Sequence, residues 1–453
     1  MASILPDLAS LYSSIQKEDM VSALKTFDEK VKPFLEQEIK LTNYSVEQIM
    51  ADTRTVQLFT KLKEKSDKNV ELTNKDFQES GTTGSYFYPF LTILSSMENQ
   101  AVDSLERLTV SKQINSESRL QFKHKLVPLI KNLPFKRIIP VPNHKDTPSH
   151  FKTTNPSLVL KPDLSGYYLN VRTVNYYCDK QNNYHVHTPF GLPKDNIVRT
   201  QNVLYELDRE LNVVKSGILQ EATSFIKHES PVRDLEDIRL FISSNKELLC
   251  TATSREVLPN TTPQIVACKI DTNNFKVTGG TRLLSHNNRE GCQKNWLPFA
   301  SEDPNDGLHY CVYQTGPEMI IYNFDSIVGI CRPHKTFNTG LDFQETRGST
   351  APIAFGINGE KHYISMTHWC LDKENKQRQY FHRVIIHDGD LKPIKISQSF
   401  TFTPDFRGIE FSLSMCTSLT PGIIYMTYGK EDNEGYIAEV DVNTFLDLRY
   451  YDI

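Results

Sequence analysis

The sequence predicts an α+β multidomain chain: an N-terminal α-helical domain followed by an all-β domain built as a five-bladed β-propeller. Three observations predict it. Apolar residues recur at helical steps only before residue 135. A run of prolines then separates the two halves. After residue 157, a short strand ending in Asp recurs five times.

Composition agrees with a folded chain of this size. Its 453 residues suffice for two or three domains with a large core. Disordered chains are poor in aromatics, whereas this one has 20 Tyr and 24 Phe. The 51 Lys and Arg against 55 Asp and Glu give a net charge of −4, which argues against a general nucleic-acid or membrane-surface binder. No apolar run matches a bilayer span, and the opening Met1-Ala-Ser-Ile-Leu-Pro6 lacks the basic and apolar regions of a leader. A cytoplasmic protein is expected. The 8 cysteines include no CxxC pair and none precedes Cys178, so buried reduced thiols are expected and no metal site.

Residues 1–135 form the expected helical domain. Val21, Leu24, Phe27, Val31 and Phe34 fall at three- and four-residue steps. Ser45-Val-Glu-Gln48 has the form of a capping box ahead of Ile49, Val56, Phe59 and Leu62. Further helices are expected over roughly 85–109 and 116–132. This domain carries no visible chemistry, and its expected roles are dimerisation or partner binding. Pro128, Pro134, Pro140, Pro142, Pro148, Pro156 and Pro162 mark an extended stretch, and 136–156 is taken as a connector.

Residues 157–453 form the expected propeller. Asp208, Asp271, Asp325, Asp388 and Asp441 each end an apolar strand, at steps of 63, 54, 63 and 53 residues. A period of about 40–60 residues with four strands per unit marks a propeller. The Asp residues themselves are read as turn formers that accept from backbone two residues on. Asp388-Gly-Asp390 falls on such a turn and is not read as a metal motif.

The strands expected to line the axis are Tyr168-Leu-Asn-Val-Arg172, Glu236-Asp-Ile-Arg-Leu-Phe241, Lys294-Asn-Trp-Leu-Pro-Phe299, Arg347-Gly-Ser-Thr-Ala-Pro-Ile353 and Glu410-Phe-Ser-Leu-Ser-Met415. Alternation puts Asn170 with Arg172 on one face, Asp237 with Arg239, and Glu410 with Ser412 and Ser414. Every expected inner strand thus carries a charge, where desolvation makes an unpaired charge costly. Convergent polar groups in a concave site point to a polar ligand; a structural ion-pair network is the alternative. Tyr313, His368 and Tyr428 end the second strands of their units at comparable places.

Glu236-Asp-Ile-Arg239 resembles the Glu-Asp-Pro-Arg signature of the family 130 glycoside phosphorylases and their glycosyltransferase relatives. Lys294-Asn-Trp-Leu-Pro-Phe299, Thr367-His-Trp369 and Arg347-Gly-Ser-Thr-Ala-Pro352 resemble further elements of that family in the same order. Ile238 stands for its Pro and Trp369 for its Gly. The Lys-Asn-Trp-x-Pro-Phe element also resembles a group of propeller domains found with glycosyltransferases. The resemblance covers roughly 157–453. It implies a five-bladed propeller that acts on carbohydrate, mainly β-mannosides, with the Asp as proton donor.

A phosphorylase needs an acid and cations for phosphate, whereas an inverting hydrolase also needs a base. Asp237 is therefore the expected general acid. Asn170, Arg172, Arg239, Lys294, Asn295, Tyr313, Arg347 and His368 are the expected substrate and phosphate ligands. Glu410 would add a second catalytic carboxylate if it faced Asp237; otherwise it would pair with Arg172 or Arg347. The expected reaction passes a glycosyl group to or from phosphate, with no cofactor or metal. Alternatives are a nucleotide-sugar glycosyltransferase, an inverting hydrolase, and a sugar- or protein-binding module without turnover.

Overall fold

The computed structural model describes residues 102–453, apart from 104, 113–114, 180–183, 188–195, 286–290, 302, 304–305, 358, 373–377 and 405–407. Most of the expected helical domain, including the stripe at 21–34 and the capping box at 45–48, lies outside the described residues. The architecture below concerns Glu106–Ile453, which forms one unit.

The unit begins with helix and then turns mainly to strand, with the short helix Val442–Leu446 near its end. Residues 105–110 are helical, and Ser116–Leu126 follows with Asn115 as N-cap, its side chain accepting from the Ser118 N–H. The expected helix over 116–132 ends early. Pro128 lies in a 3₁₀ turn over Val127–Leu129, and Lys131–Asn132 is already strand.

Antiparallel sheets then follow in chain order as a propeller-like ring. The first holds Lys152–Leu160, Tyr167–Val174, Val198–Leu207 and Val213–Ile218. The second holds Glu236–Ile242, Leu248–Ser254, Gln264–Asp271 and Lys276–Arg282. The third holds Leu297–Ala300, His309–Gln314, Glu318–Phe324 and Cys331–Asn338. The fourth is centred on Arg347–Ile357, Glu360–Asp372 and Arg378–His387. The last holds Glu410–Thr417, Ile423–Lys430, Glu434–Asp441 and Arg137–Pro140. The first strand of each sheet touches that of the next, and Glu410–Thr417 returns to Lys152–Leu160.

Sheet faces meet through apolar side chains. Leu204, Ile238, Leu240 and Val266 fill the space between the first and second sheets; Phe241, Leu249, Trp296 and Cys311 fill the next. Ile364, Met366, Met426 and Val440 join the fourth and last, while Leu169, Val203, Tyr425 and Ile437 close the last onto the first. These strands bury both faces, so their apolar runs exceed simple alternation. Among the described residues, no helix is long and apolar enough to cross a membrane.

Three expectations are corrected. The units are not equal sets of four strands: two sheets have four, two have five and one has seven. The additions come from short segments that pair with otherwise open edges, such as Gln220–Thr223 parallel to Lys276–Arg282 and Tyr450–Asp452 against Pro393–Ser397. The stretch 136–156 is not wholly a connector. Arg137–Pro140 pairs with Glu434–Asp441 and so supplies the outermost strand of the last sheet. Finally, Tyr167–Val174 is the second strand of the first sheet, and Lys152–Leu160 is its inner one. Pro156 disguises that strand, because a Pro argues against strand unless it lies at a bulge.

The repeated Asp residues behave as read. Asp208, Asp271, Asp325, Asp388 and Asp441 each accept from the backbone N–H two residues on, at 2.6–3.0 Å.

Candidate active site

Three of the inner strands share one local device. Asn155, Asp237 and Asn295 have φ of 41°, 50° and 61°. Pairing breaks at Thr154 and Glu236 and resumes at Ser157 and Arg239, while the third inner strand begins at Leu297. A left-handed Asn or Asp thus stands two positions before regular pairing in three successive sheets. Asn and Asp adopt this conformation more readily than other side-chain-bearing residues. The bulge re-aims their side chains. Serine hydroxyls then fix the strands to one another: Leu240 N–H donates to Ser157 Oγ at 3.0 Å, and Leu158 N–H to Ser414 Oγ at 2.8 Å.

Asp237 is the centre of the site. Arg172 Nη1 and Asn155 Nδ2 both donate to its Oδ1 at 2.9 Å, and its side chain keeps 19% of its exposure. Burial pushes its carboxyl up, but Arg172, the Asn155 bond, Lys294 and Arg239 together hold it below the ordinary aspartate value. Asp237 therefore rests ionised. Arg172 is buried and lies 3.7 Å from Glu236 as well. Burial works against its charge, but Tyr176, Asp237, Glu236 and Asp432 raise the guanidinium above its usual value. Glu236 meets two further cations, Arg255 at 3.5 Å and Lys294 at 3.7 Å.

Beside this cluster lies a cavity of about 250 Å³, lined by Lys294, Asn295, Tyr313, Gln344 and Arg347 among others. Four expected ligands therefore share one space. Arg347 is oriented by Gln344 Oε1, which its Nε meets at 3.0 Å. Tyr313 stands edge-on to buried Trp296, with centroids 5.1 Å apart. Lys294 joins the cavity to Glu236, and Asn295 Oδ1 accepts from Arg239 Nη2 at 3.4 Å.

Other expected ligands are placed differently. Arg239 is a brace: Nη1 donates to the carbonyls of Ser349 and Leu413, the latter at 2.8 Å, tying the second sheet to the fourth and last. Burial lowers its guanidinium to about 10. His368 is buried, shares a 2.9 Å hydrogen bond with Ser349 Oγ, and meets Phe411 and Tyr380 edge-on. Burial, helped by His382, Arg347 and Arg239, holds it far below the ordinary His value, so it is neutral and not a phosphate-binding cation. Asn170 is buried and donates to Asn202 Oδ1 at 3.1 Å rather than lining the cavity. Glu410 does not face Asp237 and takes neither expected Arg. Its oxygens accept from the Phe402 and Thr403 N–H groups at 2.8 Å, and burial raises its carboxyl.

Three contributors escaped the sequence reading: Asn155, Tyr176 and Asp432. Asn155-Pro-Ser157 could have been aligned with Asp237-Ile-Arg239 and Asn295-Trp-Leu297. The other two carried no such signal.

Glu221, Asp234 and Glu256 form the one carboxylate group among the described residues with oxygens close enough for a metal ion. Lys227 Nζ already sits among them, 2.6 Å from Glu221, 3.4 Å from Glu256 and 3.8 Å from Asp234. Its ammonium supplies the charge that an ion would bring.

No family model matches the chain, and no curated protein matches it. Solved structures similar to it include a β-1,2-mannobiose phosphorylase from Listeria innocua, with TM-score 0.42 and 10% identity over 67% of this chain and 94% of that one. Another is a mannose phosphorylase from Leishmania mexicana in complex with phosphate, with TM-score 0.42 and 12% identity over 72% and 93%. At such scores neither fold nor activity transfers from them to this chain.

Proposed function

We propose that this protein is a carbohydrate-active enzyme that transfers a glycosyl group, of mannosyl type, to or from inorganic phosphate at the inner strands of the ring. The observation that carries the reading is the juxtaposition of two chemistries. An ionised Asp237, with both hydrogen bonds on Oδ1, stands next to a cavity where Lys294 and Arg347 meet with Asn295 and Tyr313. Carboxylates and amides hold sugar hydroxyls, Lys supplies a point charge, and Arg a planar fork for phosphate oxygens. The sequence elements around Asp237, Lys294 and Arg347 support the same reading, because each of them resembles the phosphorylase family.

The roles follow from the charges. Phosphate is already an anion, so attack on the anomeric carbon needs no base. Lys294 and Arg347 hold it and offset its charge. Asp237, ionised by Arg172, accepts from a substrate hydroxyl and orients the ring. Arg239 and His368 shape the axis and do not touch phosphate.

Thermal shift of the full chain with inorganic phosphate, manno-oligosaccharides and nucleotide sugars tests this, followed by assay of sugar 1-phosphate. Stabilisation by phosphate, and phosphate-dependent turnover abolished in Asp237→Asn, is the expected result. Stabilisation by a nucleotide sugar alone would assign a transferase, and sugar binding without turnover a binding module.

A further inference from the structure

The helix Ser116–Leu126 is held to the ring by charge more than by an apolar face. Of its residues only Leu126 is buried, and Leu120 is exposed. Arg119 and Lys123, four residues apart, share one side of it. Arg119 Nη1 meets Asp342 Oδ2 at 2.9 Å, and its Nη2 donates to the Ser111 carbonyl at 3.0 Å. Lys123 Nζ meets Glu345 Oε1 at 2.5 Å and donates to the Cys370 carbonyl at 3.3 Å. It also lies 5.1 Å from the centre of the buried Trp369 ring. All four charged side chains are largely out of solvent, where ion pairs are screened less.

The two acids stand at the ends of one turn. Asp342 caps the 3₁₀ turn Phe343–Glu345, its Oδ1 accepting from the Gln344 N–H at 2.8 Å. The Asp342 N–H donates to the Val110 carbonyl at 2.8 Å, beside an isolated bridge between Ser111 and Leu341. At the other end, the Glu345 carbonyl accepts from Arg383 Nη1 at 2.9 Å. The turn is thus gripped from outside at both ends, while Phe343, Gln344 and the following Arg347 line the cavity. Gln344 Oε1 accepts from Arg347 Nε at 3.0 Å and from Nη2 as well. These bonds fix the plane of the guanidinium and leave Nη1 for phosphate oxygens. One line of contacts therefore runs from Arg119 through Asp342 and Gln344 to Arg347.

We propose that the helix Ser116–Leu126 sets the phosphate affinity of the cavity, with Arg119 and Lys123 as positioning residues that hold the turn so that Gln344 aims Arg347. The inference rests on the glycosyl-transfer reading above and assigns to that site a control from outside it. Neither cation lines the cavity. Each acts through an acid of the turn, and the turn transmits the restraint because Asp342 spends one oxygen on Arg119 and the other on the Gln344 backbone. A guanidinium fork binds phosphate well only when its plane is set beforehand, since the cost of ordering it is then already met.

Two measurements on the full chain test this. The first needs no sugar: the rate at which phenylglyoxal modifies Arg347, followed by mass spectrometry of the peptide that contains it. Freed from Gln344, Arg347 should react about 5-fold faster or more in Arg119→Met, with Arg119→Lys between it and the wild type. Asp342→Asn keeps an oxygen to cap Gln344 and loses only the charge, so adding it to Arg119→Met should change the rate by under about 2-fold. No acceleration, or two effects that multiply, overturns the proposal. The second is phosphate-dependent turnover of a manno-oligosaccharide. In Arg119→Met the KM for phosphate should rise about 10-fold, while kcat and the KM for the sugar stay within about 3-fold. A lower kcat with an unchanged KM for phosphate is what a merely structural helix would give, and overturns the proposal. If Arg119→Met does not fold, Arg119→Lys and Asp342→Asn carry the same two readouts. If the wild type neither binds nor uses phosphate, the glycosyl-transfer reading fails, and phenylglyoxal still decides whether the helix positions Arg347.

Discussion

Replacing Arg172 by Met tests the electrostatic design of the site without adding volume. Arg172 is 4% exposed and its guanidinium meets Asp237 at 2.9 Å and Glu236 at 3.7 Å. Removing one partner of a buried pair costs about 3–5 kcal/mol, because the remaining charge is left uncompensated. The pH dependence gives a sharper signature than the magnitude. In the wild type, Asp237 has a folded value below its unfolded one of about 3.9, so its contribution is present above that pH and is lost as pH falls through the folded value. In Arg172→Met the largest lowering influence is gone, and the folded value rises against the remaining pull of Asn155, Lys294 and Arg239. Asp237 then contributes less stability at neutral pH than in the wild type, and this difference disappears as pH falls and the carboxyl protonates in both proteins. The gap between the two proteins is therefore widest near pH 7 and narrows between about pH 5 and 3, by about 1.4 kcal/mol per unit of altered pKa. Urea unfolding at several pH values measures it. A gap that stays constant from pH 7 to 4, or one below about 1 kcal/mol at pH 7, would refute the reasoning.

Glu106→Ala should destabilise the unit by about 3–5 kcal/mol, because it leaves the fully buried Arg383 without the carboxylate that it meets at 2.7 and 2.9 Å. The double change Glu106→Met with Arg383→Met should recover most of that loss in denaturant unfolding, and no recovery would show that the charge is not the cause. Gly429→Ala should disable turnover while leaving Asp237 itself intact. A Cβ there would stand 2.8 Å from the Asn155 nitrogen and closer still to its Oδ1, so Asn155 must leave Asp237; unchanged activity would count against its role. Glu410→Gln should lower stability by about 1–3 kcal/mol, since one of its two accepting oxygens becomes a donor facing a backbone N–H. Its turnover should match the wild type in the folded fraction, and a loss like that of Asp237→Asn would return Glu410 to the chemistry.

Much of the strand order was legible because turns and apolar runs are local. The five Asp markers mark strand ends through a bond to their own backbone, so spacing alone locates them. Lys294, Asn295, Tyr313 and Arg347 were gathered for the same reason: their places in successive units put them at one mouth. Partners were harder. Alternation says which face Glu410 shares with Ser412, but not that a backbone turn at 402–403 would reach it first. His368 looked cationic in sequence, yet its charge is decided by desolvation, which only packing reveals. The first half of Lys152–Leu160, up to residue 156, read as connector because Pro156 sits at its bulge.

That last failure explains how the site was built. A propeller-like ring brings inner strands together with both faces buried, a poor place for charge unless each charge is paired. Bulges resolve the conflict. By breaking the pairing for two residues at Asn155 and Asp237, they free a side chain from its sheet without opening the sheet's core, and Ser157 restores the lattice beyond. A substituent that must be Asn or Asp to tolerate the left-handed backbone is also one that binds hydroxyls and guanidinium groups. The conformational demand and the chemical demand thus select the same residues. The near-neutral total charge conceals this, because Arg172, Lys294 and Arg255 are matched locally by Asp237 and Glu236. What distinguishes the site is the unequal sharing of one guanidinium between two carboxylates, Asp237 at 2.9 Å and Glu236 at 3.7 Å, of which Asp237 also takes the Asn155 amide.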